Sequence, residues 1–274
     1  MVPYITIITS TYNSATTLLR CLNSIAIQNY RLYEHIVIDS ASTDDTLSIV
    51  NSNSHNIAHF ISEKDKGVYD AWNKAIPYIK GEWVIFLGSD DYFYNSNVLE
   101  SVSHDLYKAY PSHNIVYGKI LMVNKQQDII GESGKPWSIQ SHEYDLPAIC
   151  FPPHPATFHH RSLFENNKFD DSYKYAADLL FVRKAIKDVD PLFIDQFITC
   201  FSMGGLTSNN KKLIDKWIER NQVAQYLDIK IKLLVLVKSF IKVVIESFIT
   251  TVFGNNFYTY MVKKLFRPFR QIKV

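Results

Sequence analysis

The stretch Gly81–Asp91, GEWVIFLGSDD, decides how this chain is read. Trp83 to Leu87 is an unbroken apolar run of strand-favouring residues. Such a run fits a strand covered on both faces, as in a parallel sheet. It stops at Gly88-Ser89-Asp90-Asp91. Ligands of open α/β sheets bind at the carboxyl edge of the strands. Two adjacent carboxylates there repel each other, so a positive partner is expected, and a divalent metal carrying phosphates is the natural one. The competing reading is a solvated turn with an Asp helix cap just before Tyr92.

Outward from this stretch, strand and helix alternate. Tyr4–Thr9 reads as a buried strand, Ser10–Ser14 as a polar turn, and Ala15 to Gln28 as a helix capped by Asn13 or Ser14. Glu34–Asp39 is a second strand, with a short helix over Thr46–Val50. Ala58–Ser62 is a third strand, and Val68–Ile79 a helix broken near Pro77. Four strands in roughly 90 residues predict a parallel sheet with right-handed crossovers. The polar loops Ser10–Asn13, Asp39–Asp45, Glu63–Gly67 and Ser89–Asp91 should then gather on one rim. Neither GxGxxG nor GxxxxGK[ST] occurs, which argues against a dinucleotide-binding fold and a P-loop NTPase.

Beyond residue 95 the pattern is less regular. Strands are expected over Ile115–Val123, pairing with Asp128–Ser133, and over Ala156–His160 and Leu192–Phe201. Helices are expected over Ala176–Lys187 and Lys211–Tyr226. Trp137–Pro155, with Pro147, Pro152, Pro153 and Pro155, is read as a long connection, and Gly204–Ser208 as a flexible loop. His55 and His59 are four apart but lack a third ligand nearby, so a zinc site is not expected. His159 and His160 should diverge on their strand.

The 274 residues suit one large or two small domains, and 47% hydrophobic with 20% charged residues is a globular composition. The net charge of +2 is unevenly spread. Residues 226–274 hold nine basic and two acidic residues, net +7, against 20 and 25 before them, net −5. An acidic body argues against nucleic-acid binding, and a basic tail suits an anionic surface. Ile229–Phe253 is apolar apart from a stripe of Lys238, Lys242 and Glu246, too charged for a simple membrane span. Aromatic and basic residues continue through Phe257–Phe269. The expectation is a domain over 1–225 followed by a tail over 226–274 that lies on a membrane surface, the alternatives being packing on the body or on a homodimer partner. Cys21, Cys150 and Cys200 show no paired spacing and read as reduced thiols. MVPYITIITS lacks the basic start of a signal peptide, so a cytoplasmic location at the inner membrane face is expected.

Seven blocks in order carry a resemblance. They are ITSTYNSATTL (8–18), VIDSASTDDT (37–46), SEKDKGVYDAWNKAI (62–76), GSDD (88–91), HPATF (154–158), YAADLLF (175–181) and GGLTSN (204–209). Together they resemble the bacterial family 2 glycosyltransferases of GT-A fold, an α/β architecture with a mostly parallel nucleotide-binding sheet flanked by helices. The resemblance implies a nucleotide-sugar donor, usually a UDP-sugar, Mn²⁺ or Mg²⁺, inversion at the anomeric carbon, and a glycan or lipid-linked acceptor in surface polysaccharide synthesis. It matches Ser10, Thr11 and Tyr12 to the loop lining the base, and Asp39 to the carboxylate that reads the base's ring NH. Asp65, Lys66 and Gly67 match the next nucleotide loop, Asp90 a residue near ribose and metal, Asp91 the direct metal ligand, and Asp178 the catalytic base. His154 is placed on the acceptor side or near the diphosphate.

Two positions depart from the family pattern. Ala177 stands where an acidic residue usually precedes the base, and Trp72 stands where Arg often precedes the Asn of the third helix, leaving a phosphate contact missing or supplied by Lys66. Asp39 could instead be a turn residue, Asp178 a helix-start carboxylate, and His154 a structural hydrogen-bonding group. Two other functions stay open. A sugar nucleotidyltransferase would carry a glycine- and basic-rich loop that STYNSAT lacks, and a non-catalytic nucleotide-sugar-binding protein is suggested by Ala177.

Overall fold

The computed structural model describes residues 4–143, 150–203, 212–229, 231 and 233–265. Its centre is the expected parallel unit. Strands β1 (Ile5–Thr11), β2 (Tyr33–Asp39), β3 (His59–Ser62) and β4 (Trp83–Phe86) run parallel in the order β3-β2-β1-β4. All four residues of β4 are buried.

The period-2 geometry of a strand sends alternate residues of these segments to opposite faces. Ile5 and Ile7 of β1, with Trp83 and Ile85 of β4, pack against Cys21 and Ile25 of helix α1 (Leu18–Ala26) on one side. Ile8, Val84 and Phe86 point the other way, onto Tyr69, Ala71 and Ala75 of helix α3 (Val68–Ala75). Both faces are covered, so both sets are largely apolar, and the buried polar residues pair, as Thr6 does with Glu34. Truncating the buried Phe86 to Ala should cost about 3–5 kcal/mol. Between β2 and β3 lies helix α2 (Thr46–Ser52).

The same sheet continues past β4 with mixed directions. Its further strands are β5 (Tyr92–Phe93), β6 (Ile115–Val123), β7 (Ile129–Ser133), β8 (Thr157–His160) and β9 (Leu192–Ser202). The order continues β4-β8-β6-β9-β5, with β7 pairing on β6. β8 is antiparallel to both β4 and β6, and β9 is parallel to β6. The helices of this half are α4 (Val98–Ala109), α5 (Trp137–Glu143), α6 (Ala177–Ala185), α7 (Leu213–Tyr226) and α8 (Leu233–Leu265).

Three expectations change. Neither Asn13 nor Ser14 caps α1. Thr17 holds the N-cap position without a side-chain bond, and the Ser14 carbonyl takes the N–H groups of Thr17 and Leu18. Part of the proline-rich connection is helical: α5 begins just after Pro136, whose carbonyl accepts from Ile139 and Gln140. A proline at a helix start costs nothing, because its missing N–H would be unpaired there anyway. The apolar tail segment continues as one helix to Leu265, past Phe253. Loop Gly204–Ser208 and the basic end from 266 lie outside the described residues.

Candidate active site

The rim at the carboxyl ends of β1, β2 and β4 is tied together by short polar side chains. Ser40 N–H donates to the Thr11 carbonyl at 2.9 Å. Asn13 N–H donates to Ser42 Oγ at 2.8 Å, and Asn13 Oδ1 accepts from Thr43 N–H at 2.9 Å. Ser14 N–H reaches Thr46 Oγ1 at 2.8 Å, and the Ser14 and Ser89 hydroxyls meet at 2.9 Å. In place of a helix cap, the φ of +47° at Asn13 and its crosslinks make it a loop-to-loop strut. Ser10 is half-buried. Tyr12 is 61% exposed, an aromatic ring standing at the tip, whereas Thr11 is buried and its Oγ1 meets no partner among the described residues.

Asp39, at the end of β2, is fully buried. Its Oδ2 accepts from Ser42 N–H at 2.9 Å and from the Ser62 hydroxyl at 2.7 Å, while the Ser42 hydroxyl donates to Oδ1. A carboxylate offers about four acceptor sites, so roughly one remains for an outside N–H.

Asp90 and Asp91 are arranged differently. Asp91 is buried, and its Oδ1 accepts from Ser202 N–H at 2.9 Å. The two carboxylates lean over Gly88. A Cβ there would stand 2.9 Å from Asp91 Oδ2 and 3.0 Å from Asp90 Oδ1, so the glycine leaves room for both oxygens to converge. Burial pushes the Asp90 carboxyl above the usual range. The Asp91 carboxyl lies well above it, through burial first and the Asp90 charge second, against the pull of Ser202 N–H and Arg20. Two desolvated like charges suit an oxygen-liganded divalent cation. Among the described residues no cluster of three or more His, Cys, Asp or Glu side chains forms a metal cage. A site in which substrate phosphates complete the shell is what Mg²⁺-type binding needs.

Arg20 backs this loop from α1. Its guanidinium donates to the Asp90 carbonyl at 2.9 Å and to Ser202 Oγ at 3.2 Å, and it lies 4.7 Å from the centre of the Tyr92 ring. The sequence reading does not include Arg20 or Ser202. Arg20 is the one charged residue in Leu18–Ala26, a signal that could have found it. Ser202 carries none, because its use depends on β9 ending beside β5.

The third rim loop holds itself. Asp65 Oδ1 accepts from Gly67 N–H at 2.9 Å, and Gly67 has φ +135°, a value that L side chains rarely adopt. Lys66 is exposed; its ammonium lies 3.7 Å from Asp171 and its backbone N–H donates to Asp70. Asp178, in the first turn of α6, is joined to this loop through α3: the Tyr69 hydroxyl donates to Asp178 Oδ1 at 2.8 Å. Burial raises the Asp178 carboxyl above its usual range, against Tyr69, Leu179 N–H and the Arg220 charge. A raised carboxyl in a half-buried site is better suited to accept a proton than an ordinary surface carboxylate.

His154 is buried and stacked on Trp72, with ring centres 4.8 Å apart and planes 12° from parallel. Burial lowers its pKa to about 3, so it is neutral, and its Nε2 meets no partner among the described residues. Trp72 also packs on Phe86 and Phe169. His159 and His160 diverge, His159 towards Phe86 and His160 towards Trp83 and Tyr110.

Comparison with known proteins bears on the family and the fold. The sequence profile of "Glycosyl transferase family 2" matches residues 6–166. A PGL/p-HBAD biosynthesis glycosyltransferase of Mycobacterium bovis (strain BCG / Pasteur 1173P2) is 28% identical over 260 residues, 90% of this chain and 94% of that protein. Among solved structures, S. aureus TarS 1–349 in complex with UDP-GlcNAc superposes with a TM-score of 0.64 at 22% identity, covering 81% of this chain; the chain spans 65% of that one. The mannosyltransferase PcManGT from Pyrobaculum calidifontis, in complex with GDP-Man and Mn²⁺, gives 0.61 at 18% identity, covering 96% of this chain and 79% of that one.

Proposed function

The chain belongs to glycosyl transferase family 2, and from that premise we propose a metal-dependent, inverting transfer of a sugar from a UDP-sugar to a hydroxyl of a glycan or lipid-linked acceptor. The observation that carries the reading is the buried Asp91 carboxylate and the half-buried Asp90 carboxylate leaning together over Gly88 after the end of β4. Asp91 and Asp90 would hold Mn²⁺ or Mg²⁺, which when bound neutralises the departing diphosphate as a Lewis acid. Asp39 keeps about one acceptor site for the base's ring N–H, and the exposed Tyr12 ring can lie against the base. Asp65, Lys66 and Gly67 border the diphosphate side. Asp178 takes the acceptor's proton as its oxygen bonds to the anomeric carbon and the sugar–phosphate bond breaks; one displacement inverts that centre.

The Ala177 departure is compatible with catalysis. Ala177 is 1% exposed inside the cluster of Ile36, Ile38 and Phe181, where an acid would be desolvated at a cost. His154, stacked and neutral, shapes the wall near Trp72. The test is transfer and hydrolysis of a panel of nucleotide sugars with Mn²⁺ in the wild type, Asp91→Ala and Asp178→Asn. Full activity in both variants removes the assignment. Calorimetric binding of UDP with no turnover of any donor would favour a binding protein.

The tail is read as a membrane-surface element at the cytoplasmic face. Leu233, Val237, Ile241, Val244, Ile245 and Phe248 are exposed on α8, beside the exposed Lys238 and Lys242. The opposite side of α8 docks on α7 through Trp217, whose Nε1–H donates to Ser239 Oγ at 3.0 Å. An apolar stripe edged by lysines suits an anionic bilayer surface. Among the described residues no helix is long and apolar enough to cross a membrane. Co-sedimentation with anionic but not neutral vesicles, weakened in Ile241→Asp, is the expected result. A monomer–dimer equilibrium abolished by the same change, with no vesicle binding, would assign the stripe to a second copy.

A further inference from the structure

We propose that Tyr69 is the positioning residue for Asp178, and that its hydroxyl selects which carboxylate oxygen receives the acceptor's proton. The proposal rests on reading Asp178 as the base. Both donors that meet this carboxylate, the Tyr69 hydroxyl and Leu179 N–H, reach Oδ1, each at 2.8 Å. Among the other described residues no hydrogen-bond donor reaches Oδ2. One oxygen is thus filled and the other left open, which fixes both the rotamer and the atom that accepts the proton.

Tyr69 is itself held. It is 5% exposed, lies edge-on to Trp72 with ring centres 5.3 Å apart, and stacks on Phe169 at 6.0 Å. Phe169 in turn is clamped by Asn73, whose amide donates to the Phe169 carbonyl at 2.8 Å and accepts its N–H at 2.9 Å. The phenol therefore arrives at Asp178 with its ring already locked. No acidic neighbour shares the work, because Ala177 occupies that place.

The position of Tyr69 in the chain adds a link. It is two residues past Gly67, in the first turn of the helix that opens from the Asp65–Gly67 loop. Through one side chain, the loop on the donor side and the base on the acceptor side share a rigid connection. A hydrogen bond to the charged form favours that form. Tyr69 thus opposes the burial that raises the carboxyl.

The experiment is Tyr69→Phe, which removes one oxygen and keeps the ring. The expected loss in kcat is about 10–100-fold, the range of a hydrogen bond to a charged group, with donor KM within about twofold. The acid limb of the kcat–pH profile should move to higher pH, since burial is then less opposed. Fluorotyrosine in place of Tyr69, a stronger donor of the same shape, should move the limb to lower pH, and it serves if the Phe variant folds poorly. In an Asp178→Asn background, Tyr69→Phe should add nothing. An unmoved limb in the Phe or fluorotyrosine protein, or an equal loss in the Asp178→Asn background, would overturn the proposal and leave Asp178 as base. Full activity of Asp178→Asn alone is a different failure: it removes the base, and the proposal with it.

Discussion

Two strand tips of the same sheet solve opposite problems with the same side chain. Asp39 ends β2 and Asp91 follows β4, and both are essentially removed from water, at 0% and 3% exposure. Asp39 is surrounded by Ser42 and Ser62, which supply hydroxyl and backbone donors. Asp91 accepts from the backbone, Ser202 N–H first and Gly88 N–H more weakly, and faces a second carboxylate. Burying a charge is tolerable only when it is paired or hydrogen-bonded. By that rule the β2 tip is nearly satisfied by the chain's own donors, while the β4 tip, with fewer donors and a second carboxylate beside it, would gain from the cation proposed for it.

The difference can be broken from its larger side first. Asp91→Ala should abolish any stimulation by Mn²⁺ or Mg²⁺, and Asp178→Asn should lower kcat by roughly 10²–10⁴, both read in a transfer assay. Gly88→Ala is the sharper probe. Its methyl would press on Asp91 Oδ2 and Asp90 Oδ1 from 2.9 and 3.0 Å. The two oxygens should part, raising the metal concentration for half-maximal activity about tenfold, in line with the effect of disturbing groups that orient metal ligands. Unchanged metal dependence would mean that the carboxylates do not act together. At the other tip, Asp39→Ala orphans Ser42 N–H, so it should cost about 1–3 kcal/mol of stability, seen by denaturant unfolding, and weaken UDP without changing metal dependence.

How much of this is legible in the sequence follows the same divide. The parallel unit through β4 can be read because each strand is a short local run rich in apolar residues, and its polar tips and helices alternate along the chain. The carboxylates Asp39, Asp90, Asp91 and Asp178 can be found because they sit at element ends, where sequence position and spatial position coincide. What cannot be read depends on contacts far apart in the chain. Ser202 meets Asp91 only because β9 returns beside β5. Tyr69 meets Asp178 across 109 positions, and nothing local distinguishes its hydroxyl from that of any core tyrosine. The antiparallel insertion of β8 between β4 and β6 is equally hidden, since a four-residue strand carries no directional signal. Helix α5 is masked by the prolines after it: composition averaged over Trp137–Pro155 hides seven helix-compatible residues at its start.

The smallest effect is the one that isolates the unfinished tip most cleanly, because it needs no substrate. In the metal-free protein the Asp91 carboxyl binds its proton more tightly when folded than when unfolded. A group raised in this way contributes its full stability below the unfolded value, near 3.9, and loses it as pH rises through the folded value. Metal-free wild type should therefore melt lower as pH rises from about 4 towards 7, over and above the remainder of the titration. Asp91→Asn cannot ionise and should escape that part of the decline. At pH 7 it should melt above the metal-free wild type, by about 2–4 °C for each kcal/mol of relieved repulsion. Adding Mn²⁺ should reverse the order by stabilising only the wild type through mass action. If the Asn variant melts below the metal-free wild type at every pH, the pair is a settled structural unit like Asp39, and the contrast between the two tips disappears.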